Sequence, residues 1–289
     1  MAGILTNPQL VEAPSPGRPR YGLFTAARVT DDLDARTAAA GFQFPAEDCG
    51  VARLYDANCD THPGKIFDEG LGYVAGDPYW VYATHKCGSV GRTPQDVERT
   101  VRRKLAGAEQ EQVEAAVWGG TSPPVDPALT TTAGVVAVTP DAPGAGAAIA
   151  ALEHSFYDTY GYIGTIHINT RAYAALTYAE LISDSPSAGV LTTPLGSQWS
   201  IGSGYGITGP AGAAPDAGSV WAFMTPPVWI RRMQQPIVPN VVQTMDRTYN
   251  QFMALAERVY AHTWACPIVH AVQVPIAAPA VVDITPPEA

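Results

Sequence analysis

The clearest periodic signal lies between Thr93 and Trp118. Val97, Val101, Leu105 and Ala108 recur at helical spacing, and Val113, Ala116 and Val117 widen the stripe. Thr93 offers a side-chain oxygen to the first amides, Pro94 suits the first helical position, and Asp96 stands where a carboxylate favours the positive dipole end. Glu98 and Arg102 form an i,i+4 pair outside the stripe, and Gly119 with Gly120 ends the helix. At 1.5 Å per residue this predicts a rod of about 36 Å.

Before the helix the pattern changes. Residues 1 to about 20 contain Pro8, Pro14, Pro16 and Pro19 and few large apolar side chains, which predicts an arm. From 21 to 92, short β-prone runs such as Tyr21 to Phe24 and Tyr79 to Thr84 alternate with Asp, Asn, Gly and Pro. The stretch from Asn58 to Gly76 reads as a long loop projecting from the body.

After the helix the sequence predicts a strand at Val135 to Val138, then a helix with Ile149, Leu152 and Phe156 on one face. A strand follows at Gly164 to Ile168, with Asn169 or Thr170 capping an Ala-rich helix to about Leu181. Gly189 to Gly218 is rich in Gly, Pro, Ser and Ala, with a strand at Trp199 to Gly202. Strands are expected at Ser219 to Met224 and Val228 to Arg232. Tyr249 to His262 fits a helix through Phe252, Leu255, Ala256 and Val259, or one of a strand pair with Ile268 to Val274. The tail AAPAVVDITPPEA is expected to be loose. The fold class is α+β.

Composition narrows the function classes. Hydrophobic residues make up 46% of the 289, against 15% charged, enough for a core and for contacts with partners. The net charge of -10 disfavours a dedicated nucleic-acid binder; it suits a wall that encloses DNA and equally an ordinary soluble protein. No window resembles a membrane span and the N-terminus lacks signal-peptide features, so synthesis in the cytosol is expected. Cys49, Cys59, Cys87 and Cys266 are too sparse for a disulfide scaffold.

Candidate chemistry is thin. Gly204, Gly206 and Gly209 spell the dinucleotide fingerprint G-x-G-x-x-G, but Pro210 to Pro215 follow where a helix must, which predicts a flexible loop. Cys49, Cys59, His62, His85 and Cys87 lack zinc spacing; zinc and a disulfide from Cys49 to Cys59 or Cys87 rank below ordinary core or loop roles. His154, His167, His262 and His270 are scattered without a hydrolase motif. No catalytic, cofactor-binding or metal residue is assigned, and no cofactor. Trp80, Trp118, Trp199, Trp221, Trp229 and Trp264 read as core or interface anchors. Arg231 and Arg232 read as a solvated strand end, with a neighbour's carboxylates as the functional alternative.

In wording, CGSVGRTPQDVERTVRRKLAGAEQEQVEAAVWGG (Cys87 to Gly120), GSVWAFMTPPVWIRRMQ and RVYAHTWACPIVHAVQV resemble major capsid proteins from phages of actinobacteria. The order of elements resembles the Hong Kong-97 type capsid fold of tailed phages and their encapsulin relatives, from Tyr21 to Pro275. The resemblance implies an N-terminal arm (1–25), an extended loop (26–92), a peripheral domain with its spine helix (93–144), an axial domain (145–225), peripheral return strands (226–275) and a tail (276–289). It tips 249–262 towards strand.

It also implies a non-enzymatic major capsid protein that assembles into hexamers and pentamers of an icosahedral phage head around double-stranded DNA, in the virion after assembly in the host cytoplasm. Separate scaffolding, portal and decoration proteins are implied partners; no membrane is. Some relatives form Lys to Asn cross-links, but no matching motif surrounds Lys65, Asn240 or Asn250, so noncovalent packing is expected. The rivals are an encapsulin-type nanocompartment shell, which neighbouring portal and terminase genes would argue against, and a soluble α+β enzyme, which would purify as a monomer with turnover.

Overall fold

The computed structural model of the chain describes residues 17, 20–46, 49, 50, 52, 65, 72–119, 125–184 and 189–276. Its elements run α1 (Leu23–Ala26), β1 (Arg28–Thr30), α2 (Ala35–Ala40), β2 (Phe42–Pro45), β3 (Tyr73–Gly76), β4 (Pro78–Gly88), α3 (Pro94–Trp118), β5 (Val136–Val138), α4 (Ala145–Tyr160), β6 (Thr165–Asn169), α5 (Tyr173–Tyr178), β7 (Ser183–Asp184), β8 (Leu191–Thr192), β9 (Gln198–Gly202), β10 (Ser219–Thr225), β11 (Val228–Arg232), β12 (Gln251–Trp264) and β13 (His270–Pro275).

The long helix α3 forms where its caps predict. The Thr93 hydroxyl accepts from the Asp96 amide at 3.2 Å, and the Asp96 carboxylate accepts from the Thr93 amide at 3.2 Å. Gly119 closes the helix with φ at 102°, the left-handed conformation that glycine adopts without strain. The buried face differs from the simple stripe. Ala108 is exposed, whereas Glu109, Gln110 and Glu114 are buried, because the second half of α3 is enclosed on several sides.

Two sheets flank α3. One has the order β1-β11-β12-β4, with β1 parallel to β11 and the other pairs antiparallel. The ambiguous 249–262 segment is therefore strand, pairing along β4 from Gln251 opposite Gly88 to Ala261 opposite Pro78. Alternation explains its composition. Phe252, Ala254, Ala256 and Tyr260 join the core that contains Val97, Val101 and Leu105 of α3, while Val259 and Ala261 point to a small cluster with Leu33 on the opposite face.

The other sheet has the order β5-β13-β10-β6-β9-β8-β7. It is covered on both faces, so its central strands are almost continuously buried. Val220, Ala222 and Met224 of β10 join a core with Ile149, Leu152 and Phe156 of α4, whereas Trp221 and Phe223 meet the α3 core. The strand β13 has parallel β5 and antiparallel β10 as neighbours.

Several expectations change. Tyr21 to Phe24 is a docked segment leading into α1 and not a strand, with Leu23 fully buried and the Tyr21 carbonyl accepting from the Ile201 amide at 2.9 Å. The predicted helix to Leu181 is a single 3-10 turn at Thr170–Ala172, capped by Asn169, followed by α5, which stops at Tyr178. The short strands β7 and β8 were not legible in the Gly- and Pro-rich region. Much of the predicted projecting loop lies outside the described residues; its base is the antiparallel pair β2 and β3.

Cys49 and Cys266 form a disulfide with Cα atoms 5.5 Å apart, in place of the local pairings to Cys59 or Cys87. The return of β12 brings Cys266 beside the base of the loop, 217 residues further along the chain. Cys87 is a half-buried free thiol, and Cys59 and His62 lie outside the described residues.

Candidate functional site

The feature that sets the relative placement of the elements is a buried junction on the second half of α3. Glu114, almost fully buried, accepts from the Leu23 amide at 3.1 Å, from the Gly204 amide at 3.2 Å and from the Gln110 side-chain amide at 3.0 Å. One carboxylate thus ties the amino-terminal segment and the loop after β9 to the long helix. Burial pushes its pKa up, and the two backbone donors and Gln110 oppose that rise.

The glycine fingerprint is explained here. A Cβ at Gly204 would overlap the Glu111 carbonyl, one at Gly206 would press on the Trp118 indole, and one at Gly209 would enter the Trp221 ring. Gly204, Gly206 and Gly209 therefore form a seam that lets the loop lie against α3 and β10. The loop is packed, contrary to the flexible segment the sequence suggests, and it presents no helix N-terminus to a pyrophosphate. Nearby, Gly22 and Gly202 also face the Glu114 carboxylate at distances no side chain would fit.

A second buried network joins α3 to the four-stranded sheet. Glu109 accepts from Arg258 at 3.0 Å and from the Tyr260 hydroxyl at 2.7 Å, and lies 3.7 Å from Arg232. Arg232 also donates to Asp31 at 2.5 Å, and Arg231 donates to Asp32 at 3.1 Å. The expected solvated end at Arg231 and Arg232 is instead a clasp on the carboxylates of the chain's own amino-terminal segment. Arg231 also stacks near Phe42 and Trp229.

The histidines separate by environment. His262 donates through Nε2 to the Pro127 carbonyl at 2.7 Å, so its neutral ring accepts from the Tyr79 hydroxyl at 3.2 Å through Nδ1. His167 lies between the Tyr205 and Thr225 hydroxyls at 3.0 and 2.9 Å, and Tyr205 continues to Ser200 at 2.6 Å. Burial lowers the pKa of His167 to about 3, and those of His262 and His270 to about 4. These rings are buried structural links, remote from solvent. His154 is exposed on α4 and lies 3.6 Å from Asp158.

Trp118, Trp199, Trp221 and Trp264 are core residues, Trp229 is partly buried, and Trp80 is half exposed. Among the described residues no group of His, Cys, Asp and Glu is placed to hold a metal ion, and no helix is long and apolar enough to cross a membrane. A surface groove of about 350 Å³ beside α4, lined by Ala150, Glu153, His154, Tyr157, Asp158 and Leu195, is shallow and open. It lacks a nucleophile oriented by a base. Lys65 is exposed, Asn240 caps its own turn by accepting from the Val242 amide, and Asn250 adopts a left-handed backbone.

The sequence matches no family model and no curated protein. Its structure is similar to solved chains from a GTA capsid and from phages. The capsid of an empty GTA particle, computed with C5 symmetry, matches with a TM-score of 0.59 at 12% identity, over 94% of this chain and 96% of that one. A chain of Microbacterium phage Oxtober96 matches with a TM-score of 0.55 at 11% identity, over 94% and 96%. A chain of Mycobacterium phage Bobi matches with a TM-score of 0.53 at 14% identity, over 96% and 97%. The chain therefore has the α+β fold of phage capsid proteins.

Proposed function

We propose that this chain is the major capsid protein of a tailed-phage head, a structural subunit without catalysis that assembles as hexamers and pentamers around double-stranded DNA. The observation that carries the proposal is end-to-end likeness to a capsid chain, covering 94% of this protein and 96% of that one. The buried polar groups serve packing in this reading, since their partners are backbone amides and neighbouring side chains. Noncovalent contacts between copies hold the shell, with portal, scaffolding and decoration proteins as further partners.

The test is expression of the full-length chain, followed by size-exclusion chromatography, negative-stain microscopy and nuclease treatment. Shells or capsomer-sized rings are expected, with nuclease-protected DNA in particles recovered from infected cells. A monodisperse species at the 30.5 kDa of one chain would overturn the proposal. Particles filled with a protein cargo would replace it with the nanocompartment role.

A further inference from the structure

Antiparallel strands exchange hydrogen bonds at every second residue, so the phase of one bond fixes which backbone groups face outward. The Ser89 amide donates to the Asn250 carbonyl at 3.1 Å, and the register continues from Cys87 opposite Phe252 to Tyr79 opposite Tyr260. The odd-numbered residues of β4 from Tyr79 to Cys87 therefore bond to β12. The amides and carbonyls of Trp80, Tyr82, Thr84 and Lys86 point the other way, out of the sheet. Pro78 has the same outward phase, where its missing N–H costs the ladder nothing.

This outward edge is long and open. β4 ends the order β1-β11-β12-β4, and among the described residues no strand pairs beyond it. Its 11 residues span about 36 Å. Trp80 and Tyr82 are 52% and 66% exposed. An edge of this kind is a template for a further strand. The Lys104 amine donates to the Thr84 carbonyl at 3.3 Å, a charged cover that keeps such an edge from random pairing.

The other edge strands are short. β1 and β5 have three residues each, β7 two, and β2 and β3 four each. Among the described edges, only another β4 matches this one in length. It also matches in the phase of its outward groups.

We propose that β4 pairs antiparallel with β4 of a second copy across a two-fold axis, joining the two four-stranded sheets into one continuous sheet. The inference rests on the shell function proposed above. Full-length overlap puts the axis at Ala83. Tyr82 of one copy then lies opposite Thr84 of the other, and Trp80 opposite Lys86, where the indole offers the ammonium a cation–π partner. Lys104 yields the Thr84 carbonyl to the Tyr82 amide of the second copy. Such a symmetric contact links one ring of subunits to the next, whereas head-to-tail contacts close the rings themselves. A strand pair of this length buries on the order of 800 Å² in total, below the roughly 1,200–2,000 Å² of a stable pair. β4 therefore pairs between copies already held in rings, where many weak contacts act together.

The experiment uses the full-length chain. In a background of Cys59→Ser and Cys87→Ser, Ala83→Cys places one thiol at the axis. Directly opposite residues that are not hydrogen-bonded to each other lie about 4.5 Å apart between Cα atoms, within disulfide reach. Oxidation of assembled particles with diamide is expected to give covalent dimers on non-reducing gels, linked 83 to 83 by mass spectrometry. Tyr82→Pro removes an outward amide that β12 does not use. It is expected to stay folded by circular dichroism and melting, to stop at rings, and to need at least roughly ten-fold more protein than Tyr82→Ala to form shells.

Shells that form without the 83 to 83 link would overturn the proposal, and so would Tyr82→Pro shells at the concentration that suffices for Tyr82→Ala. A benzophenone side chain at position 82 is expected to capture residues 78–88 of a second copy; capture of residues 1–16 or 51–71 would assign the edge to that segment and overturn the β4 pair. Wild type remaining a monomer in every condition would sink the shell function and this contact with it, whereas shells without the cross-link sink the contact alone.

Discussion

Glu109 on α3 and Arg258 on β12 lie 149 residues apart in sequence and 3.0 Å apart in the fold, with side chains only 4% and 13% exposed. The pair, extended by Tyr260 and Arg232, fixes the long helix on the four-stranded sheet by a charged contact where apolar side chains would otherwise meet. Replacing Glu109 with Gln leaves the buried Arg258 guanidinium without its counterion. A loss of about 3–5 kcal/mol is expected in denaturant unfolding. Replacing both partners with apolar residues of similar volume is expected to cost less, and a larger loss for the double change would contradict a simple buried pair.

The Gly204 seam predicts an effect without any ligand. Gly204→Ala forces a methyl group into the Glu111 carbonyl, and a loss of about 2–4 kcal/mol is expected because backbone must move on both sides. Hydrogen exchange should speed up at the Leu23 and Gly204 amides together, since both bond to Glu114. A variant with unchanged melting and unchanged exchange would show that the seam is not tightly packed.

Acid sensitivity follows from the buried imidazoles. His262 and His270 titrate at about 4 and His167 at about 3 in the folded chain, while an unfolded His takes its proton near 6.5. Between those values the unfolded state binds more protons. Stability is therefore full above about pH 6.5 and is lost as pH falls towards 4 and below, by about 1.4 kcal/mol per unit for each fully displaced group. Glu114 acts in the opposite sense, since its raised pKa favours the folded state as the pH drops. His262→Gln should reduce the pH slope of the midpoint for urea unfolding; an unchanged slope would exclude His262 as a contributor.

The Cys49–Cys266 link closes a loop spanning 217 residues. Its removal by Cys49→Ser or by reductant is expected to lower stability by about 2–5 kcal/mol, through the freedom restored to the unfolded chain. Mass spectrometry of peptides alkylated before and after reduction tests the pairing, and free thiol at Cys49 in the native protein would contradict it.

Much of the architecture was legible because local rules and tertiary demands agree. The cap at Thr93, the apolar spacing from Val97 to Leu105 and the glycine stop at Gly119 are written within one segment, and α3 forms there. The apolar run from Ser219 to Met224 reads as a strand, and β10 forms there; which core Val220, Ala222 and Met224 enter and which Trp221 and Phe223 enter depends on the helices that cover its two faces.

Relations between distant segments were decided by the tertiary structure. The sequence around Gly204 cannot show that Glu111 and Trp118 occupy the space beside it, so a packed seam looks like a flexible loop. Arg231 and Arg232 appear as a strand end until β1 and the segment after it bring Asp31 and Asp32 alongside. Cys49 finds Cys266 only because β12 returns past the base of the loop. Segment 249–262 is strand because β4 and β11 offer their edges to it, although its apolar spacing also fits a helix. Secondary structure with its own caps and periodicity is a local free-energy choice; partners of buried charges, glycines and thiols depend on contacts that exist only once the chain has closed on itself.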